Sequence, residues 1–156
     1  MASGVAVDDE VINLFNDIKK HRKQKAAFFR LSDDKTKIIV DHCMKVMCDD
    51  ADPFKSFKDM LPKDDCRFIV YDALFDTEDS KNREQMIFIS WAPDTATVQK
   101  KMIHASSREN IKKLFGLTAE WQVNDLCEVQ PEDLAERLSR DTVVCIDGKV
   151  LPGKCG

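Results

Sequence analysis

A three-layer α/β/α sandwich, with a central mixed sheet of five to six strands flanked by helices, is the fold class that the 156-residue sequence predicts. Three observations carry it. Helix-period and strand-period segments alternate along the chain. Two long apolar strands, "CRFIVYDALFD" and "QMIFISWA", lack a polar face and so need cover on both sides. The connection from "MIFISW" to "WQVND" is long enough for a crossover, which makes at least one strand pair parallel.

Asp8 or Asp9 caps a first helix in which Val11, Ile12, Phe15 and Ile18 form a helical stripe, with cations gathered at its C-terminal end where the macrodipole favours them. "KAAFFRLS" and "TKIIVDHC" flank the turn-rich "DDK" and read as an antiparallel hairpin. Pro53 opens a short helix, "DPFKSFKDML", which Pro62 stops. The two apolar strands follow, joined by the polar loop "TEDSKNRE", and belong at the centre of the sheet. After Pro93 a helix is expected from about Thr95 to Ala105, with Ser106 or Ser107 capping a further turn or two through "RENIKKLF" and Gly116 ending it. "EWQVNDLCEV" alternates like a strand, Pro131 with Glu132 and Asp133 starts a helix over "EDLAERLSR", and "TVVCIDG" is a last short strand or an extended tail. No repeat or Gly/Ser linker divides the chain. Residues 1–156 are therefore expected to form one domain, with flexible ends at about 1–6 and 149–156.

Hydrophobic content of 43% with 33% charged residues fits a compact soluble protein, and no apolar run approaches a membrane span. The N-terminus lacks the basic and apolar regions of a signal peptide, so an intracellular protein is expected. The six cysteines are scattered without CxxC spacing and read as reduced thiols. A net charge of −4 argues against nucleic-acid binding through global positive potential; anionic partners would have to meet local patches at Lys19–Lys20–His21–Arg22–Lys23, Lys100–Lys101 and Lys112–Lys113.

Catalytic chemistry is hard to find. There is no phosphate loop, GxSxG, HExxH or zinc-spaced Cys/His set. His42 beside Cys43 is the nearest to a reactive pair, but neighbours on a strand point to opposite faces, so a packed thiol beside an exposed imidazole is expected. The carboxylates of "DDEV", "DDAD" and "KDDC" fall at helix starts and in loops, where Asp favours caps and turns. Binding, without catalysis, cofactor or metal, is the expected activity.

One helix stands out. With Val98 at zero on a wheel of about 100° per residue, Met102 lies near 40°, Ala105 near 340° and Lys101 near 300°, whereas Ala96 and Ile103 lie near 140 to 160° and Lys100 and His104 fill another sector. Two apolar strips result. A helix lying on a sheet needs one, so the other either docks a partner or is also buried in the core.

Four segments decide between these readings: "MASGV" at the start, "DCRFIVYDA" at Asp65 to Ala73, "WAPDTATVQKKMIHASSREN" with its following "IKK", and "LAERLSR" at Leu134 to Arg140. In this order and spacing the chain, from Met1 to about Gly148, resembles the actin-depolymerising factor/cofilin family. The resemblance implies the ADF-homology, gelsolin-like fold and a monomeric, non-enzymatic protein of the cytoplasmic actin cytoskeleton. Such a protein binds actin monomers and filaments, prefers ADP-bound subunits, twists the filament and promotes severing and depolymerisation.

The same resemblance assigns residues. Lys101 and Met102 on the long helix, with Lys100 beside them and Ser3 and Gly4 in the N-terminal arm, would meet monomers and filaments alike. Lys81 and Arg83 in the loop, with Glu136, Arg137 and Arg140 on the last helix, would form a filament-only surface. Ser3 would be the target of a kinase and a phosphatase, its phosphate repelling an acidic actin face. Lys100, Lys101, Lys112 and Lys113 would be the candidates for phosphoinositide headgroups. Lys19 to Lys25 lies where relatives carry a longer lysine-rich insertion linked to nuclear entry, which leaves nuclear localisation open. Gln85 and Gln99 stand where relatives often carry basic residues, so a filament binder that does not sever is the alternative; a thiol enzyme built on Cys43 or Cys66 is a third reading, from a different class.

Overall fold

The computed structural model describes residues 6–21, 24–138, 143–147 and 149–150. Strand β1 (Ala6–Val7) leads into helix α1 (Asp9–His21), whose acidic first turn and basic last turn match the ends of its dipole and whose Val11, Phe15 and Ile18 are buried. Strands β2 (Gln24–Leu31) and β3 (Lys37–Met47) form the expected antiparallel hairpin. Its turn is held by Asp34, whose Oδ1 accepts from Ser32 Oγ at 2.6 Å, Thr36 Oγ1 at 2.7 Å and the Thr36 amide at 3.1 Å. These bonds lower the Asp34 carboxyl to about 2.

Helix α2 (Pro53–Met60) starts at Pro53 with Asp52 as its cap. Strands β4 (Arg67–Thr77) and β5 (Arg83–Trp91) follow, then helix α3 (Val98–Phe115), strand β6 (Glu120–Val123), a 3₁₀ turn (Leu126–Glu128), helix α4 (Pro131–Leu138) and strands β7 (Val143–Ile146) and β8 (Lys149–Val150).

The sheet runs β1-β3-β2-β4-β5-β6, with β7 pairing the end of β4 and β8 pairing β7. It is mixed. β5 and β6 are parallel across the α3 crossover, β1 and β3 are parallel, and the other pairs are antiparallel. The two apolar strands are central, as their composition requires. One face is covered by α1 and α3 over Phe29, Phe68, Val70 and Phe88; the other is covered by α2 and α4 over Phe28, Ile69, Tyr71 and Trp121. This is the three-layer sandwich expected, with β1, β7 and β8 as short additions to a five-stranded centre. Among the described residues, no helix is long and apolar enough to cross a membrane.

Four local expectations need correction. No break occurs at Ser106 or Ser107: α3 is continuous, because Ser107 faces the core and Ser106 donates back to the Ile103 carbonyl at 3.0 Å instead of capping. "EWQVNDLCEV" is a strand only to Val123; Asp125 and Glu128 then form a capping box that starts the 3₁₀ turn. Lys149 and Val150, expected in the tail, form β8.

The fourth is Cys43, which is exposed together with His42. Ala27 pairs with Lys45 and Phe29 with Val40, so two steps along β2 are matched by five along β3, and the bulge between them breaks the two-residue alternation.

Candidate functional site

The end of β5 delivers the chain at Trp91, whose indole donates to the Pro62 carbonyl at 2.8 Å, and Thr97 then caps α3 by accepting from the Lys100 amide at 3.3 Å. After the 18 residues of the helix Gly116 adopts φ 67°, the left-handed conformation that closes a helix, and its amide donates to the Lys112 and Lys113 carbonyls.

Within α3 the buried positions are His104, Ser107, Ile111 and Phe115, which cluster near 220° on the wheel begun at Val98, at about 100° per residue. Val98 and Met102 sit opposite that face and are 69% and 66% exposed. The strip of Val98, Met102 and Ala105 is thus left to solvent, and Ile103 packs at the edge of the core. The sector read as polar is the one that meets the sheet. His104 is buried with Nε2 at 2.7 Å from Ser90 Oγ and its ring stacked on Phe68 at a centroid distance of 3.9 Å. Burial, reinforced by the nearby Arg108 charge, pushes its pKa down to about 3, so the imidazole is neutral at physiological pH.

Lys101 is half-buried and its Nζ donates to the Asp94 carbonyl at 3.2 Å, which places its charge beside the start of the exposed strip. Next to it, a cleft of about 210 Å³ opens between Lys63, Trp91, Pro93, Asp94, Thr95 and the 125–126 turn. Leu126 on its rim is 38% exposed. The exposed apolar side chains here are Val98 and Met102 on the helix and Leu126 on the cleft rim, with Lys101 joined to the cleft through Asp94; apolar groups edged by polar ones are the usual make-up of a protein-docking patch. Leu126 and the cleft are not legible in sequence, because the segment that forms the 3₁₀ turn presenting them alternates like a strand.

The remaining predicted residues are spread over the surface. Lys100 turns toward the start of β4, with Nζ 3.3 Å from Asp65 Oδ1. Lys112 lies 3.4 Å from Glu120, which also pairs with Arg108. Lys100 and Lys112 are about 18 Å apart along the helix axis. The four lysines named for an anionic headgroup therefore do not form a single cluster. Lys81 is exposed in the β4–β5 loop, whereas Arg83 is half-buried with its guanidinium 5.4 Å from the Phe75 ring centroid. Glu136 and Arg137 lie on the exposed side of α4, opposite Leu134, Ala135 and Leu138. Ser3, Gly4 and Arg140 lie outside the described residues.

Lys25, counted with the basic run that starts at Lys19, is buried. Its Nζ is 2.5 Å from Asp147 Oδ1, and Tyr71 donates to Asp147 Oδ2 at 2.6 Å. Among the described residues no group of His, Cys, Asp and Glu could hold a metal ion. Burial raises the Cys66 thiol to about 11, opposite to the direction a nucleophile needs.

Comparison with known proteins gives a consistent picture. Residues 4–139 match the model of the family described as cofilin/tropomyosin-type actin-binding protein. A cofilin from Streptomyces griseoflavus is 32% identical, with a TM-score of 0.74, over 88% of this chain and 99% of that one. Actin depolymerization factor 2 from Plasmodium berghei is 27% identical, with a TM-score of 0.76, over the same shares of the two chains. Coactosin from Entamoeba histolytica, 18% identical over 86% of this chain and 94% of its own with a TM-score of 0.70, shares the fold.

Proposed function

The chain belongs to the cofilin/tropomyosin-type actin-binding protein family, and from that premise we propose that it binds actin monomers and filaments, prefers ADP-bound subunits, and severs and depolymerises filaments without catalysing a reaction. The observation that carries this reading is the solvent-facing strip of Val98 and Met102, directly opposite the buried face of α3 and flanked by Lys101. Two neighbouring apolar side chains left in water on one helix face are what a docking helix offers a partner. Met102 can adapt its shape to a cleft in actin while Lys101 meets acidic side chains at the edge.

In this reading residues 1–156 act as one unit in the cytoplasmic actin cytoskeleton. Ser3 and Gly4 extend the monomer surface, and a phosphate on Ser3 switches it off. Lys81, Arg83, Glu136, Arg137 and Arg140 supply the filament surface. Phosphoinositide headgroups compete with actin, meeting Lys101 and Lys113 first because Lys100 and Lys112 already face carboxylates.

Arg83 favours a second reading. Its guanidinium lies over Phe75 and it is only partly accessible, and Gln85 adds no charge beside it. Weakened lateral contacts would give a filament binder that does not sever. Co-sedimentation followed by imaging of single filaments separates the two: fragments appearing on labelled filaments support severing, and decoration without fragments supports the second. The docking face is tested by Lys101→Ala with Met102→Ala, which is expected to weaken monomer affinity about tenfold or more with little change in thermal unfolding. Unaltered affinity would refute the assignment.

A further inference from the structure

The two halves of α3 are anchored by different forces. In the second half Ile111 and Phe115 are buried, and Phe115 lies 4.4 Å from Phe15 and 5.6 Å from Phe29 between ring centroids. The first half, which carries Val98, Lys101 and Met102, meets the sheet through the His104 ring stacked on Phe68, through Ile103 at the edge of the core and through polar groups. Beyond the neutral contact of His104 with Ser90 there is a row of four alternating charges. Lys100 Nζ lies 3.3 Å from Asp65 Oδ1, Asp65 Oδ2 accepts from Arg67 Nη1 at 2.6 Å, and Arg67 Nε donates to Asp41 Oδ2 at 3.2 Å. Asp41 belongs to the β3 bulge and its other oxygen accepts the Cys43 amide at 3.1 Å. The row therefore runs from the edge of the sheet, across the start of β4, to the first turn of the helix.

We propose that Lys100 and Asp65 are positioning residues for the actin-binding face: their contact tethers the first half of α3 to the sheet and sets the direction in which Val98 and Met102 point, and Lys100 does not itself meet actin. The inference rests on the actin-binding reading and deepens it. Arg67 and Asp41 are buried and satisfy each other, so this end of the row is fixed by the fold. Asp65 is anchored by Arg67 and by accepting the Cys66 amide at 2.9 Å. Burial works against its charge, yet the hydrogen bonds and charges of Arg67 and Lys100 outweigh burial and hold the carboxyl below its ordinary range. Asp65 is thus an ionised, preorganised acceptor at the first turn of α3. For Lys100 to reach a partner it would first have to leave this carboxylate.

The pair is partly exposed, so its effect is modest and salt-sensitive. Lys100→Met and Asp65→Asn are each expected to weaken affinity for monomeric ADP-actin about threefold to fivefold, corresponding to a tether of at most about 1 kcal/mol. The double variant should be no weaker than the weaker single, and Lys100→Arg should retain affinity. In the free protein, amide hydrogen exchange of residues 98–104 should quicken in both singles while that of residues 111–115 stays as in the parent. If Lys100→Met lowers affinity but Asp65→Asn leaves it unchanged or raises it, Lys100 is a direct contact and the proposal falls. Unchanged exchange over residues 98–104 also overturns it. Met102→Ala and the parent chain in the same titrations separate the two levels: a parent that fails to bind actin defeats the functional reading, while hydrogen exchange still decides the tether.

Discussion

His104 illustrates how a side chain's role depends on what faces it. In sequence it belongs with Lys100 in a polar sector; in the fold it is wedged between Phe68 and Ser90. Its folded pKa of about 3 lies below the ordinary 6.5, so between these values the unfolded chain binds the extra proton. Stability contributed by the neutral ring is complete above pH 6.5 and falls as pH drops toward 3, by about 1.4 kcal/mol per pH unit within that window. Urea midpoints measured between pH 6.5 and 4.5 should decline accordingly, and His104→Gln should flatten the decline; an equal slope in that variant would show that other groups carry it. Asp65 and Asp34 act lower down, because carboxylates held below their usual range lose their contribution only when they are protonated. Ser107 makes a simpler case. Its hydroxyl is buried with no hydrogen-bond partner among the described residues, so Ser107→Ala should leave stability unchanged or raise it by about 1 to 2 kcal/mol. A loss of stability in thermal unfolding would imply a buried water or another partner for that oxygen. Neither role is legible in sequence, since a serine or histidine carries the same symbol whether it faces water or a phenyl ring.

Within α3, local signals worked where chemistry is local. Gly116 ends the helix as expected, because a residue free to adopt φ 67° is needed there whatever surrounds it, whereas the start lies at Val98 behind the Thr97 cap and not at about Thr95, which sits in the preceding turn. The serines at its centre misled, because the same hydroxyl can cap a helix or bond back to its own turn, and the packing decides. The helix also sets side chains that hold the core apart from side chains left in water. Phe115→Ala should cost about 3 to 5 kcal/mol, since it removes a ring in contact with Phe15, Phe29 and Phe88. Met102→Ala, with a side chain mostly in water, should change stability by about 0.5 kcal/mol or less while weakening actin binding. Chemical denaturation of the two variants checks the contrast; a comparable loss in both would mean that Met102 serves the core.

Across the whole molecule, one sheet forms the floor of both cores, so neither can open without exposing the central strands. Trp91 and Trp121 lie on the α2 and α4 side, and Phe115 on the other. Phe115→Ala should therefore lower the midpoint seen by tryptophan fluorescence and by far-ultraviolet circular dichroism to the same extent; separate transitions would indicate that the two faces unfold independently. The C-terminal strands are joined to this unit by the β4–β7 pairing, by Val143 and Ile146 in the core and by a polar contact. Asp147 holds Lys25 of β2 and Tyr71 of β4 in a buried cluster, so Asp147→Ala, which leaves the Lys25 ammonium without its carboxylate, should cost about 3 to 5 kcal/mol in urea unfolding. A loss below about 1 kcal/mol would show that Lys25 finds another route to solvent.

Composition and period determined the layers, the central place of β4 and β5, the parallel β5–β6 crossover and the apolar strip at Val98 and Met102, because each follows from how much surface a segment must hide and how its side chains repeat. The family likeness was equally legible, since it resides in contiguous segments. Tertiary structure alone decided which sector of α3 meets the sheet, that the β3 bulge turns both His42 and Cys43 outward, that Lys25 is buried against Asp147, and that Lys100 faces Asp65. These are matters of direction and proximity between residues far apart in the chain, and they are settled by packing shape and charge pairing that no local pattern encodes.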